Sequence, residues 1–536
     1  MSHTSAVHQH QAIQRLLKAG DTKSAALACK ALTEEYPEYP PGWVSACHVA
    51  LALGNADKAV GYARHALTLA PESARLLVLK AVALRVAGAY AEAEAAATAA
   101  ANLCGSDAAA YDELGNYHTA AGAFRKALRC FTRAVDLVPK SAAFRFNRAT
   151  LLRIVGDLEE AECEYDRVIA LNPDEYEAYY NRADLRRQSA ERNHIAELEV
   201  ARAAAARHPR GEVLVGYALA KELEDLGDYR RSFEQLSRAA ALRRKHIDYD
   251  VARDVATVDW IEAAFPPERL RASDVGEPSS GPIFIVGMPR SGTTLLERVL
   301  GQHSDVCAAG ELPHFANALT AAARTVSGVQ GLSRRELVAA SANVDFRALG
   351  ADYLARTRPL TEHRARFVDK LPLNYLYCGL IHMALPNARI LHLTRHPMAV
   401  CYAVYKTLFK DAYPFSYDLG ELARYYSAYR RLMRYWHSAL PGVILDVSYE
   451  ALVGNLELEV RRVLTYCGLD WQPACADFHR NPNPTATASA AQVRRPLYVS
   501  SVDLWKRYER ELEPLRAMLI SAGIPEGELS GASSHT

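Results

Sequence analysis

Glycine recurs every 34 residues in the first part of the chain, at Gly20, Gly54, Gly88, Gly122 and Gly156. An alanine follows five residues after each, at Ala25, Ala59, Ala93, Ala127 and Ala161. A fixed period of this length restricts the chain to a stack of small equivalent units, none of which buries its apolar face alone. Pro37, Pro71, Pro139 and Pro173 hold a third phase of the same repeat, and only Gly105 breaks it. Glycine accommodates a tight turn between two antiparallel helices, alanine lets them approach closely, and proline stops the second one. The pattern therefore predicts helical hairpins in series. An alanine-rich bundle without repeats would not reproduce two residue types at five coincident positions. The phase then loosens: Pro209 is displaced by two residues, and Gly227-Asp228-Tyr229 marks a late repeat.

In period and residue placement this array resembles the tetratricopeptide repeat (TPR). The resemblance implies an all-α superhelix whose concave surface receives a peptide or protein. The fold does not name the ligand, and the groove serves equally well for self-association into a homodimer.

At 536 residues the chain exceeds one ordinary core, so further domains are expected. Its 63 basic residues nearly balance 62 acidic ones, which argues against a nucleic-acid binder and requires any anion site to be local. Residues 1–9 show neither the basic nor the apolar stretch of a signal peptide, and no apolar run is long enough to span a bilayer. The ten cysteines are scattered without a Cys-x-x-Cys pair. Neither a disulfide framework nor a zinc site is expected, the histidines show no metal-ligand grouping, and a reducing cytoplasm fits best.

The helical pattern continues to Phe265, where Phe265-Pro266-Pro267 breaks it, and residues 276–282 are rich in turn formers. The expected organisation is a repeat domain over 1–245, a helical linker over 246–280, a second domain over 281–525 and a disordered tail over 526–536. In the second domain, apolar runs at 283–286, 366–369, 389–394 and 443–447 read as strands separated by helices. That alternation predicts an α/β domain with a parallel sheet.

The first of these strands runs into Gly287-Met288-Pro289-Arg290-Ser291-Gly292-Thr293-Thr294, followed by an amphipathic helix at 295–300. Strand, glycine-flanked loop and helix together aim backbone N–H groups at an anion. Compared with the loop of nucleotide triphosphatases, both glycines and the final threonine are present. Thr293, however, stands where those proteins need a lysine for the β/γ-phosphates. The positive charge is Arg290, inside the loop, and no acidic residue is clearly placed to hold Mg²⁺.

These residues resemble the 5′-phosphosulfate loop of sulfotransferases, particularly tyrosylprotein sulfotransferases and bacterial TPR-containing relatives, and the similarity runs through most of 282–510. The resemblance implies a P-loop-like fold and the donor 3′-phosphoadenosine 5′-phosphosulfate (PAPS), with PAP as product. Arg290, Ser291, Gly292, Thr293 and Thr294 would cradle its 5′ end. Arg395, after the strand at 389–394, resembles the family's anchor for the 3′-phosphate. The family serine eight residues later is Ala403 here, a missing contact worth about 1 kcal/mol unless Tyr402 or Tyr405 replaces it. Tyr449 resembles the tyrosine near the adenine. Arg494, Arg495 and Tyr498 belong to a stretch that in related sequences covers the nucleotide.

Sulfuryl transfer resembles phosphoryl transfer in asking for positioning, fixed positive charge and one base for the acceptor hydroxyl. By resemblance the base is Glu311, in a Gly-Glu motif like that of the tyrosylprotein enzymes; its alternative use is to cap the helix starting near Pro313. Lys370 would reach the bridging oxygen or leaving phosphate, and Ser489 matches a serine facing the sulfuryl group. The tyrosines at 425, 426, 429 and 435 with Trp436 have helical spacing suited to core packing. His314, His396 and His479 read as local hydrogen-bonders. The expected activity is transfer to an acceptor hydroxyl, tyrosine of a protein or peptide recruited by the repeats. The alternatives are a small-molecule or glycan acceptor, or a repeat scaffold with a nucleotide-binding domain that does not turn over, which Ala403 alone favours.

Overall fold

The computed structural model describes residues 2–271, 276–329, 331–361, 364–410, 412–480 and 502–530. It divides into two compact units, residues 1–178 and 179–536.

The first unit is the repeat array. Helices Thr22–Glu35, Pro40–Ala52, Ala56–Leu69, Ala74–Val86, Tyr90–Leu103, Ala108–Ala120, Phe124–Leu137, Ala142–Val155 and Leu158–Leu171 follow one another across short turns. Gly20, Gly54, Gly88, Gly122 and Gly156 all adopt positive φ, between 72° and 96°, the conformation a side chain would resist. The five periodic alanines are at most 1% exposed, so each helix pair closes on a methyl group. Asp21, Asn55, Ser73, Asp107, Ser141 and Asp157 cap the helices that follow them by accepting backbone N–H bonds.

The second unit contains the late repeat pair, Pro209–Asp225 and Tyr229–Lys245, joined through Gly227 at φ 83°. It also contains a five-stranded, wholly parallel sheet. The strands are β1 (Pro282–Gly287), β2 (Val306–Ala308), β3 (Arg366–Asp369), β4 (Arg389–Thr394) and β5 (Ile444–Ser448). Their order is β2-β3-β1-β4-β5, with Ile283 opposite Val368 on one side and Phe284 opposite Ile390 on the other. Four strands agree with the apolar runs of the sequence. β2 does not, because Val306-Cys307-Ala308 is too short for any period to show.

Alternation along the strands feeds two cores. Phe284, Val286, Phe367 and Ile390 pack with the helix Leu419–Ala439, whose Tyr425, Tyr426, Tyr429 and Trp436 are buried as their spacing suggests. Ile283, Ile285, Val368, Leu391 and Leu393 pack with the helices Thr293–Leu300 and Leu456–Cys467. With the sheet covered on both faces, ligand access is at the ends of its strands. β1 is central, with β3 and β2 on one side and β4 and β5 on the other. The crevice beyond the carboxyl ends of the strands is the expected binding position in such a sheet.

Candidate active site

β1 ends at Gly287, and the loop 288–292 delivers the chain to the helix Thr293–Leu300. Gly287 (φ 148°) lies so near β4 that a Cβ there would come 2.7 Å from the Leu393 carbonyl oxygen. Arg290 takes φ 64°, a left-handed conformation uncommon for a side-chain-bearing residue and often stored at functional sites. Ser291 is 1% exposed and its Oγ has no hydrogen-bond partner among the described residues. A buried hydroxyl left this way at a helix N-terminus suits a phosphate oxygen. Thr293 and Thr294 are buried beside it.

Arg395 leaves β4 and turns toward this loop: its Nη1 donates to the Arg290 carbonyl at 2.9 Å. Its guanidinium lies 4.5 Å from the centroid of the Tyr449 ring, a cation–π contact. Tyr449 in turn closes on the loop at Gly292, where a Cβ would come within 2.4 Å of the tyrosine Cδ2. Glu450 ties the two strand ends together, accepting from the His396 N–H at 2.9 Å and the Ser448 hydroxyl at 3.0 Å. The His396 ring stacks on Trp505 at 4.8 Å. Arg395 and Tyr449 therefore both lie against the loop that carries Arg290. Ser489, Arg494, Arg495 and Tyr498 lie outside the described residues.

Tyr402 and Tyr405 do not stand in for the hydroxyl missing at Ala403. The Tyr402 hydroxyl donates to Glu224 of the late repeat, and the Tyr405 hydroxyl is engaged with Ser237. Both point at repeat helices, a commitment that only the packing of those helices reveals.

On the other side of β1, the end of β3 carries Asp369 and Lys370. Lys370 is 1% exposed; its Nζ donates to Glu311 and lies 3.9 Å from Glu297. Glu311 side-chain exposure is 46%, so the ammonium sits beneath a carboxylate that faces outward. Glu311 is thus drawn to Lys370, and the helix His314–Ser327 begins at Pro313 without a side-chain cap. The loop bearing Glu311 is held along its length. Ala309 N–H donates to Val368 O (3.0 Å), Lys370 N–H to Gly310 O (2.8 Å), and Leu312 N–H to the Asp369 carboxyl. Tyr413, at φ 56°, lies close enough to the Glu311 charge for it to add to the upward push that burial gives its phenol. Its ring meets Phe409 at 4.7 Å and Phe415 at 6.0 Å, giving this side of the site an aromatic flank.

Three groups escape sequence reasoning. Glu297 lies within an apolar helix, and burial raises its carboxyl pKa; the acid amid Leu295, Leu296, Val299 and Leu300 was the available signal. Asp369 is wholly buried, and its carboxyl is pushed up to about 8. Third, the histidines do form a group. Parallel register sets His392 beside Asp446, and Asp446 Oδ1 meets His392 Nδ1 at 2.6 Å and His437 Nε2 at 2.9 Å. Their potential ligand atoms lie within 4.8 Å of one another. Each is already hydrogen-bonded, and His392 Nε2 continues the chain to Tyr429 Oη at 2.5 Å. No helix among the described residues is long and apolar enough to cross a membrane.

Residues 282–473 match the model of the sulfotransferase family, and residues 108–167 that of the tetratricopeptide repeat. A protein of Aquifex aeolicus (strain VF5) described as uncharacterized is 34% identical over 376 residues, 69% of this chain and 49% of that protein. The protein-tyrosine sulfotransferase of Drosophila melanogaster is 24% identical over 241 residues, 42% of this chain and 46% of that enzyme. The chain thus spans about half the length of these two curated relatives. Among solved structures, the sulfotransferase domain from the Synechococcus PCC 7002 olefin synthase aligns at 20% identity and a TM-score of 0.33, covering 44% of this chain and 89% of that one.

Proposed function

We propose that this chain, which joins tetratricopeptide repeats to a domain of the sulfotransferase family, transfers a sulfuryl group from PAPS to a hydroxyl, that of tyrosine in a protein or peptide which the repeats recruit. The observation that carries the reading is the meeting of three strand ends. An anion loop with a buried Ser291 hydroxyl, unpartnered among the described residues, follows β1, a buried cation paired with an outward-facing carboxylate follows β3, and Arg395 follows β4. A triphosphatase would need a lysine at position 293, which is threonine.

In this reading the loop 290–294 holds the 5′-phosphosulfate, with Arg290 as its charge. Arg395 serves the 3′-phosphate, and Tyr449 lies beside the adenine. Glu311 removes the acceptor proton, and Lys370 meets the charge that grows on the leaving phosphate. The aromatic flank of Phe409 and Tyr413 beside Glu311 favours a phenol over an aliphatic alcohol. The second curated relative, itself a protein-tyrosine sulfotransferase, supports the same acceptor.

PAP and PAPS are expected to raise the melting temperature well beyond any effect of ATP with Mg²⁺; an equal response to both rejects the donor assignment. Glu311→Gln is expected to bind PAP normally and lose transfer by at least about a hundredfold. Acceptors are found by incubating the protein with labelled PAPS and a lysate of its own cell.

A further inference from the structure

Lys370 is an awkward partner for a base. A buried ammonium needs a counter-charge, and in this structure Glu311 provides one. Yet if Glu311 takes a proton during transfer, it becomes neutral at the moment the reaction most needs Lys370 charged. Something else must balance the ammonium through that step.

We propose that Glu297 is the positioning residue that does so, an inference that rests on the reading above. It holds Lys370 in place and charged while Glu311 passes from carboxylate to carboxylic acid.

The geometry suits the role. Glu297 belongs to the helix that begins at the phosphate loop, so its position is fixed with the loop. Its Oε2 lies 3.9 Å from Lys370 Nζ and its side chain is buried, whereas that of Glu311 is about half exposed. It also accepts the Gly310 N–H, so the same carboxyl steadies the residue before the base. Among the described residues, the other charged and titratable groups facing this cluster are Arg298 on the same helix, Asp369 on β3, and Tyr413 near Glu311. Burial raises the Glu297 carboxyl, Lys370 lowers it, and the charge of Glu311 raises it again. Proton uptake by Glu311 removes that last repulsion, which favours the Glu297 carboxylate when Lys370 depends on it.

The step balances as follows. The acceptor oxygen forms a bond to sulfur and gives its proton to Glu311. The bond from sulfur to the 5′-phosphate oxygen breaks, and its electron pair stays with PAP. Lys370, released by Glu311 and retained by Glu297, turns its ammonium to that oxygen.

The test uses the full chain with Glu297→Gln, PAP binding by calorimetry, and transfer from PAPS to an acidic tyrosine-containing peptide across pH. PAP affinity and KM for PAPS are expected to stay within about twofold, and kcat to fall at least about tenfold. The acid limb of the kcat profile should move to lower pH, since Glu311 loses a like-charged neighbour and keeps Lys370 to itself. Unchanged kcat with an unmoved limb overturns the proposal. So does a fall in kcat matched by lost PAP affinity with the limb unmoved, which would mark a merely structural pair. If the Gln chain does not fold, Glu297→Asp carries the test: lowered kcat at unchanged PAP affinity supports the proposal, and unaltered kcat overturns it. An unsubstituted chain inert with PAPS and peptide overturns both readings. An active chain indifferent to Glu297→Gln overturns this one alone.

Discussion

At Gly292 a single absent methyl group lets the two segments proposed as phosphate anchors meet. The residue sits at φ 108°, and a Cβ would lie 2.4 Å from the Tyr449 ring, far inside contact distance. Tyr449 would have to retreat, and with it the surface on which Arg395 rests at 4.5 Å. Gly292→Ala therefore combines backbone strain with loss of the cation–π contact, for a cost of about 2–3 kcal/mol. PAP affinity is expected to fall at least about tenfold, since each 1.4 kcal/mol is one decade. Calorimetry with PAP and a urea titration measure both effects; a variant with undiminished affinity would show that the tyrosine does not shape the site. The requirement for glycine was legible in the loop pattern. Its reason was not, because Tyr449 arrives from a strand more than 150 residues later.

The end of β3 shows the same limit at the scale of an element. Its strand character was plain from Arg366 to Asp369, but nothing in four residues says that the final carboxyl is completely buried. In the fold it receives the Tyr353 hydroxyl at 3.0 Å, the Asn374 amide at 3.4 Å and the Leu312 N–H, and so pins the loop of Glu311. Burial outweighs these bonds and pushes the carboxyl from its ordinary 3.8 up to about 8. The folded chain therefore keeps a proton that the unfolded chain releases. The contribution is fully present below the unfolded pKa and is lost as pH rises through the folded one. Asp369→Asn imitates the neutral carboxyl without titrating. From about pH 4 to about pH 8 the wild-type midpoint in urea should fall more steeply than that of the variant. Parallel curves for the two chains would remove Asp369 as the cause. Glu297, on the neighbouring helix, escaped notice for a related reason: a helix that looks apolar from its sequence conceals which acid finds a partner inside.

Within the second unit, the late repeat pair and the parallel sheet share one core, and Glu224 is a polar group within it. From the end of the helix Pro209–Asp225 it accepts the Tyr402 hydroxyl, the Tyr508 hydroxyl at 2.9 Å and Lys406 Nζ at 2.7 Å. Burial alone would raise its carboxyl, but Lys406 and the two phenols outweigh it, so the carboxylate is held below its ordinary range. The three donors reach it from the helix that follows Arg395 and from the turn that follows Trp505, whose ring stacks on His396. A repeat helix thereby sets the position of the segment expected to hold the 3′-phosphate. The periodicity revealed the repeats, but the loosened phase after Pro173 hid this attachment, because a helix that packs on a sheet no longer needs the spacing of the array. Glu224→Gln leaves the partly exposed Lys406 without its counter-charge and weakens three hydrogen bonds, a loss of about 1–3 kcal/mol. If the attachment aligns Arg395, PAP affinity falls severalfold in the folded variant as well, with the loss concentrated in the 3′-phosphate. Adenosine 5′-phosphosulfate, which lacks that group, should then bind the variant and the wild type alike. Equal weakening for both nucleotides would mean that the carboxylate supports the fold without steering the anchor.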